Sequence, residues 1–192
     1  MVQNSETKID RRVLYTKMFL KESLLELMKE KPIDKITPTE LCRHAGINRN
    51  TFYKHYYTTR DLLQEIEEEF SAQLVESIGE ILQQDNIQHL LQEICSIVLE
   101  KKEFCKVLFS ANGDAAFMQD VIMLGKGLIL ENWERMGVQL SDEKMEIVFS
   151  FIINGSVAIM RSWAANDMLI PPAEIADLIN RLTMHGISGV CD

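Results

Sequence analysis

The chain has 192 residues, of which 46% are hydrophobic and 26% are charged, and its formal net charge is −9 at pH 7. This length allows one large domain or two small ones, and the composition excludes a disordered chain because it supplies enough apolar residues for a sizeable core. The polar N-terminus has no apolar segment of the signal-peptide type, and no later run predicts a membrane span, so we expect a cytoplasmic protein that contacts no membrane.

The charge is divided unevenly along the chain. Residues 1–60 carry a net charge of +5, whereas residues 61–192 carry −14. A basic N-terminal third on an acidic remainder favours a polyanion as the partner of the basic part. The first helix, predicted over about residues 7–30, contributes four basic residues that either extend this surface or are merely solvated: Arg11, Arg12, Lys17 and Lys21. Its predicted buried residues are Leu14, Met18, Leu25 and Met28.

Residues 36–60 contain three helix-start patterns separated by one glycine turn, which is typical of a helix-turn-helix. Thr37 is placed as an N-cap, and Glu40 stands three residues later, where it completes a capping box. This helix is predicted to end at Gly46. Asn48 then caps a second, short helix predicted over residues 49–56, and Thr58 with Asp61 forms the third cap, before the long helix that follows.

The short second helix is the element that fits DNA chemistry. In helix-turn-helix docking this helix lies in the major groove, led by its N-terminal residues, while the first helix crosses the backbone. The side chains expected at base edges are Arg49, Asn50 and Thr51, and Asn48 and Lys54 are further expected DNA contacts. Those expected at phosphates are Thr37, Thr39, Tyr53 and His55. The alternative is a solvated surface helix in a bundle that binds no nucleic acid.

These residues also resemble a known family. The run Ile36-Thr37, Leu41, Ala45-Gly46-Ile47-Asn48, Thr51-Phe52-Tyr53, His55-Tyr56 and Leu62-Leu63 is similar to the N-terminal domain of the TetR family of bacterial transcription regulators. The resemblance implies DNA binding, and two departures accompany it. Pro32 stands where the family commonly has a glycine after the first helix. Thr59 stands where the family commonly has a lysine that contacts phosphate, and the neighbouring Arg60 is a candidate replacement.

Apolar periodicity predicts nine helices and no strand. Beyond the motif the predicted helices cover about 61–83, 87–101, 103–111, a segment from Asn112-Gly113-Asp114 to about 136, 145–165 after a Ser141 cap, and 173–187. The helix over 61–83 places four acidic residues on one side, which we expect to be a solvated face: Glu65, Glu67, Glu68 and Glu69.

Two of these helices carry more apolar surface than one chain can bury. The helix over 145–165 is apolar around most of its circumference, and the last helix carries a stripe of Ile175, Leu178, Ile179 and Leu182. In the TetR family the last two long helices form a four-helix dimer interface, and FIINGSVAIMRSW and LINRLTMHGISGV resemble that region. We therefore expect a homodimer.

No catalytic motif, cofactor motif or metal-ligand spacing is present, so an enzyme is not expected. The four cysteines, Cys42, Cys95, Cys105 and Cys191, lie far apart, which favours buried free thiols over redox-sensing ones. The candidates for an effector pocket, which also fit ordinary core packing, are Phe104, Phe109, Phe117, Met118, Met123 and Trp133.

Three polar residues share one face of the predicted helix 145–165: Ser150, Asn154 and Arg161. Buried polar groups need partners. Asn154 and Arg161 therefore either pair across a dimer or face the pocket, where they would bind an anionic or carbonyl-bearing apolar molecule.

The sequence thus predicts an all-α protein with a helix-turn-helix domain over 1–60, joined by a long helix to an effector-binding and dimerisation domain over 61–192. We expect a repressor that binds a near-palindromic operator on double-stranded DNA as a homodimer and is released by a small-molecule effector. The alternative is an adapter that acts mainly through a protein partner.

Overall fold

The computed structural model describes residues 11–82, 87–135, 137 and 140–188, and in this part of the chain it is all-α, as predicted. Nine α-helices follow one another in these ranges, with one turn of 3-10 helix, Ile33–Lys35, between the first two. The helices are α1 (Arg11–Glu30), α2 (Pro38–Ala45), α3 (Arg49–Phe52), α4 (Thr59–Leu82), α5 (Ile87–Glu100), α6 (Lys102–Leu108), α7 (Ala115–Arg135), α8 (Asp142–Ala165) and α9 (Pro172–Ser188).

Most helix limits lie close to the predicted ones, but α3 is shorter. It ends at Phe52 rather than at residue 56. The chain continues as a turn because the amide groups of Lys54 and His55 donate to carbonyl oxygens three residues earlier, those of Thr51 and Phe52. The predicted residues Tyr53, Lys54 and His55 therefore lie on a turn after the helix.

The chain forms two compact units, one reaching to Ile66 and the other starting at Glu67, so the boundary lies within α4. In the first unit Leu20 and Leu24 of α1, Leu41 of α2, Phe52 of α3 and Leu62 of α4 are fully buried. These five side chains form the core on which the helix-turn-helix rests.

The buried stripe of α1 differs from the predicted one. Leu14 and Met18 are exposed, whereas the buried residues of the helix are Leu20, Ser23, Leu24, Leu27 and Met28. Met28 alone of the four predicted positions is buried, and Leu25 is intermediate. The prediction was wrong because the buried stripe begins at Leu20, near the middle of the helix, and lies on a neighbouring face.

In the second unit α5 packs along α9, and α8 contacts both α6 and α9. Trp133 of α7 and Phe149 of α8 form a buried cluster with surrounding aliphatic side chains. The predicted stripe of α9 is split by this packing. Ile175 and Ile179 are buried, whereas Leu178 and Leu182 are exposed.

Helix α8 buries only part of its apolar surface within one chain. Phe149, Met160 and Trp163 are buried, but Ile147 is 65% exposed and Phe151 is 77% exposed. Among the described residues α8 is also the one helix that is long and apolar enough to cross a membrane. An exposed apolar face remains on this helix.

Candidate nucleic-acid interface and ligand cavity

The start of α2 is held by its predicted cap. The backbone N–H of Glu40 donates to the Thr37 hydroxyl oxygen at 3.2 Å, and Pro38 occupies the first turn. The Glu40 carboxylate binds Nζ of Lys31 at 2.6 Å, a partner that the capping-box prediction did not include. The hydrogen bond from Lys31 is the main reason that the pKa of Glu40 lies below its usual value. This ion pair ties the end of α1 to α2.

The turn between α2 and α3 follows the predicted pattern. Gly46 has φ of 66°, a left-handed conformation that glycine adopts without steric cost. The side-chain oxygen of Asn48 then accepts from the backbone N–H of Asn50 at 2.8 Å and caps α3. Local sequence thus sets the direction in which α3 leaves the turn.

The exposed side of α3 and its following turn carries hydrogen-bond donors. Phe52 is fully buried beneath them and contacts the ring of Tyr56, 5.7 Å away between centroids. The Arg49 guanidinium lies 5.9 Å from the centre of the Tyr53 ring, a cation–π arrangement. The predicted contact residues that are exposed are Thr37, Thr39, Asn48, Arg49, Asn50, Tyr53, Lys54 and Arg60, while Thr51 and His55 are half-buried.

The first turn of α4 differs from the DNA-contacting pattern expected for this position. Thr59 is buried, and its hydroxyl donates to the carbonyl oxygen of Ile36 at 3.0 Å. Arg60 is exposed and forms an ion pair of 3.0 Å with Asp34. The candidate replacement for the missing lysine therefore already has an acidic partner in this structure.

Glu65 has a role that the prediction of a solvated acidic face missed. Nζ of Lys17 and Nζ of Lys21 each lie 2.8 Å from one of its carboxylate oxygens, and the Tyr56 hydroxyl donates to it at 3.0 Å. Burial would raise the pKa of Glu65, but the hydrogen bonds from Lys17, Lys21 and Tyr56 outweigh it and hold the pKa at about 2. Lys17 and Lys21, expected either to extend the basic surface or to be solvated, thus form ion pairs within the protein. Lys17 and Lys21 lie one helical turn apart on α1, and this spacing is the sequence pattern that could have indicated a shared acidic partner.

A cavity of about 210 Å³ lies in the second unit. Its described lining comes from α4 to α9 and is almost entirely aliphatic, aromatic or methionine: Phe70, Leu74, Ile87, Leu90, Leu91, Ile94, Val98, Leu108, Phe109, Met118, Val121, Ile122, Leu124, Gly125, Trp133, Ile152, Ile153, Ser156, Val157, Met160, Ile179, Asn180, Thr183 and Met184. None of these residues is ionisable. An apolar cavity of this kind suits an apolar small molecule.

The predicted pocket residues are distributed differently. Trp133 lines the cavity, as do Phe109 and Met118. Phe104 and Phe117 do not line it; they pack with Phe70, which does, in an aromatic cluster whose centroids are 5.2 to 6.3 Å apart. Met123 was also misplaced by the prediction, since it is 58% exposed on the outside of α7.

Asn154 and Arg161 lie outside the cavity as well. Both are exposed. The Asn154 amide donates to the Ser150 carbonyl oxygen at 2.7 Å, within the same helix, and Asn154 shares a shallow surface groove with Ile147 and Phe151. Of the two alternatives for these polar residues, the placement in the effector pocket is therefore wrong. Their surroundings are the exposed apolar face of α8.

Three polar side chains of the cavity were not predicted: Ser156, Asn180 and Thr183. Oδ1 of Asn180 is buried and has no hydrogen-bond partner among the described residues. The sequence contains one indication of Asn180: it is a polar residue that directly follows Ile179, a member of the apolar stripe of α9. Among the described side chains of the wall, Asn180 thus supplies a buried acceptor without a partner.

The remaining reactive groups are buried or dispersed. Cys42, Cys95 and Cys105 are free and buried, as predicted, and burial raises the pKa of Cys95 and of Cys105 to about 12. Cys191 lies outside the described residues. Across the described ranges, no group of three or more His, Cys, Asp or Glu side chains is arranged to hold a metal ion.

Comparison with known proteins decides the family. The family model TetR_C_8, described as a transcriptional regulator C-terminal region, matches residues 85–185, which is more than half of the chain. The chain belongs to the TetR family of transcriptional regulators. The resemblance first noted in residues 36–63 is thereby confirmed from the other end of the sequence.

A curated relative matches a shorter part of this TetR-family chain. YxbF, an uncharacterized HTH-type transcriptional regulator of Bacillus subtilis (strain 168), is 32% identical over 77 residues. The match covers 40% of this chain and 20% of that protein, so it spans about a fifth of the relative's length.

Solved structures of the TetR family share the fold. A TetR transcriptional regulator from Streptococcus agalactiae 2603V has a TM-score of 0.65 at 17% identity, over 94% of this chain and 99% of that chain. FadR of Thermus thermophilus, a TetR-family repressor in complex with lauroyl-CoA, has a TM-score of 0.55 at 21% identity, over 88% and 94%. The protein therefore has the all-α fold of its family.

Proposed function

We propose that this regulator is a repressor that binds a near-palindromic operator as a homodimer and leaves it when an uncharged effector fills the cavity. The observation that carries the DNA-binding part is the exposed donor surface of α3 above the buried ring of Phe52. Arg49 and Asn50 project from the first turn of α3. That is the part of a recognition helix that meets base edges in the major groove.

The homodimer is supported by apolar surface that one chain leaves uncovered. Ile147 and Phe151 of α8, with Leu178 and Leu182 of α9, are exposed on adjacent helices of the second unit. An exposed apolar patch of this kind marks an interaction site. A two-fold dimer would cover it and would present two identical α3 helices to related half-sites.

Effector control is supported by the cavity. Its wall includes Phe70 and Leu74, which belong to the helix that begins at Thr59. A ligand that displaces this helix would couple the cavity to operator affinity, and only to the extent that its affinities for the two conformations differ. The apolar wall is compatible with hydrocarbon such as an acyl chain, the kind of group that lauroyl-CoA carries in FadR of Thermus thermophilus.

Selection of bound duplexes from a random pool with the purified full chain tests the proposal. We expect an enriched near-palindrome, bound with two chains per duplex. A repressor should then lower transcription from a promoter that contains this sequence. If no sequence is enriched while a partner protein is retained on the immobilised chain, the adapter alternative replaces the repressor.

A further inference from the structure

The chemistry of the cavity wall restricts what can bind there. None of the described lining residues is ionisable. A charged group placed against such a wall loses its hydration without gaining a counter-ion, which costs far more free energy than apolar contacts return. Arg161, the residue expected to bind an anionic ligand, is exposed elsewhere on α8, so the described wall offers a charged ligand no counter-ion.

One atom of the cavity wall is a buried hydrogen-bond acceptor that a ligand could satisfy. Asn180 Oδ1 is buried and accepts no hydrogen bond from the described residues, although Asn180 lines the cavity. Folded proteins leave few buried acceptors unsatisfied, because each one forfeits its hydrogen bond to water. Gln88 Oε1 is a second buried acceptor without a partner in the described part of the chain, but Gln88 does not line the cavity. Of these two acceptors in the described part of the chain, Asn180 Oδ1 is the one with space for a ligand beside it.

We propose that the ligand is an uncharged, largely apolar molecule with one hydrogen-bond donor, of the class of a medium-chain primary alcohol, and that its hydroxyl donates to Asn180 Oδ1. Apolar contact with the wall supplies most of the affinity, and the hydroxyl fixes the orientation. The regulatory meaning of this binding rests on the proposed function, but the binding itself does not require DNA.

Calorimetric titration of the purified full chain tests the ligand class. The probes are primary alcohols from hexanol to decanol, octyl methyl ether, which lacks a donor, and octanoate at a pH where it is ionised. We expect octanol to bind about tenfold more tightly than the ether, the factor that one net hydrogen bond provides, and octanoate to show no binding. Equal affinities for octanol and the ether, or tighter binding of octanoate, would overturn the proposal.

Two variants assign the effect to Asn180. Asn180→Leu keeps a similar shape but removes the acceptor, so the preference for octanol over the ether should vanish. The ligand-free variant should also melt about 2–4 °C higher, because an unsatisfied buried group has been removed. Gln88→Met is the matched control, since it removes the other unsatisfied amide oxygen and should leave the preference unchanged. Retention of the preference in Asn180→Leu would show that another group accepts from the hydroxyl and would overturn the assignment to Asn180.

Failure of this inference can be told apart from failure of the proposed function. If octanol binds through Asn180 but leaves the operator complex intact, the ligand class stands and release by an effector is wrong. If octanoate releases the operator and octanol does not, release stands and the assigned ligand class is wrong.

Discussion

The phenolic hydroxyl of Tyr56 donates a hydrogen bond of 3.0 Å to Oε2 of Glu65. Lys17 binds the same oxygen at 2.8 Å, and its ammonium group lies 5.5 Å from the centre of the Tyr56 ring. Tyr56 follows the turn after α3, Lys17 belongs to α1 and Glu65 to α4. One carboxylate therefore ties the chain that follows α3 to both α1 and α4.

We predict that Glu65→Gln destabilises the first unit by about 1–3 kcal/mol, because two ammonium groups and a hydroxyl lose a charged acceptor. Operator affinity should fall as the turn after α3 loses its attachment. Chemical denaturation and operator titration measure the two effects. Glu22→Gln, an exposed change on α1, is the control and should alter neither.

The Glu65 carboxylate should also make the stability of the folded chain depend on pH. Its pKa is about 2 in the folded chain, against an ordinary value of 4.5, so the folded state favours the ionised form. This contribution to stability is complete above about pH 5 and is lost as the pH falls from the ordinary pKa towards 2. Melting temperatures measured across that window should decline more steeply for the native chain than for Glu65→Gln, and parallel curves would contradict the assignment.

A third prediction concerns base recognition. Arg49→Ala should cost about 1–3 kcal/mol and broaden the selected sequence, since Arg49 is placed at base edges. Lys54→Ala should weaken all duplexes to a similar degree, as expected for a phosphate contact. Titrations with selected and scrambled duplexes separate these effects. Lys144→Ala, an exposed charge in the second unit, serves as the control for net charge.

The split stripe of α9 leads to two different outcomes for similar changes. Leu182→Asp, at a side chain that is 58% exposed, should yield a folded monomer that no longer binds the operator. Ile175→Asp should unfold the chain, because Ile175 is buried within a single subunit. Light scattering and circular dichroism distinguish these states. Leu169→Asp changes a leucine after α8 that is even more exposed, at 83%, and should remain a dimer. A native chain that is itself monomeric would refute the assembly.

The buried cysteines predict low reactivity. The Cys95 and Cys105 thiols have pKa values raised to about 12 by burial, so almost no thiolate exists at neutral pH. In a Cys191→Ser variant we expect a thiol reagent to modify the protein only after denaturant is added. Rapid modification of the native variant would favour the redox-sensing alternative.

Much of the fold could be predicted because its determinants are local. The caps at Thr37, Asn48 and Ser141 depend on neighbours within a few residues, and all three form as predicted. Helix periodicity likewise located the four long helices, α1, α4, α7 and α8, to within a few residues at the ends that the structure describes.

The remaining features depend on which surfaces meet. Helical periodicity predicted that Leu14 and Met18 are buried, like the leucines of α1 that are buried. The packing of α2 against α1 shows that they lie on an exposed face instead. Similarly, the sequence did not distinguish Glu65 from the other acids of α4. Its role depends on two lysines of α1 that the fold places beside it. The described lining of the cavity comes from six helices that are far apart in the sequence. Spacing along the chain therefore could not assign a polar residue such as Asn180 to it.

The buried hydroxyl of Thr59 has a consequence for the ion atmosphere of DNA. Each phosphate that a cation neutralises releases condensed counter-ions, which steepens the fall of affinity with salt by about 0.9 in logarithmic slope. Thr59 contributes no cation, and Arg60 can contribute one only by giving up Asp34. Each subunit of a dimer should therefore release fewer ions on binding than a subunit of a relative with lysine at this position. The operator affinity should accordingly fall less steeply as the ionic strength rises.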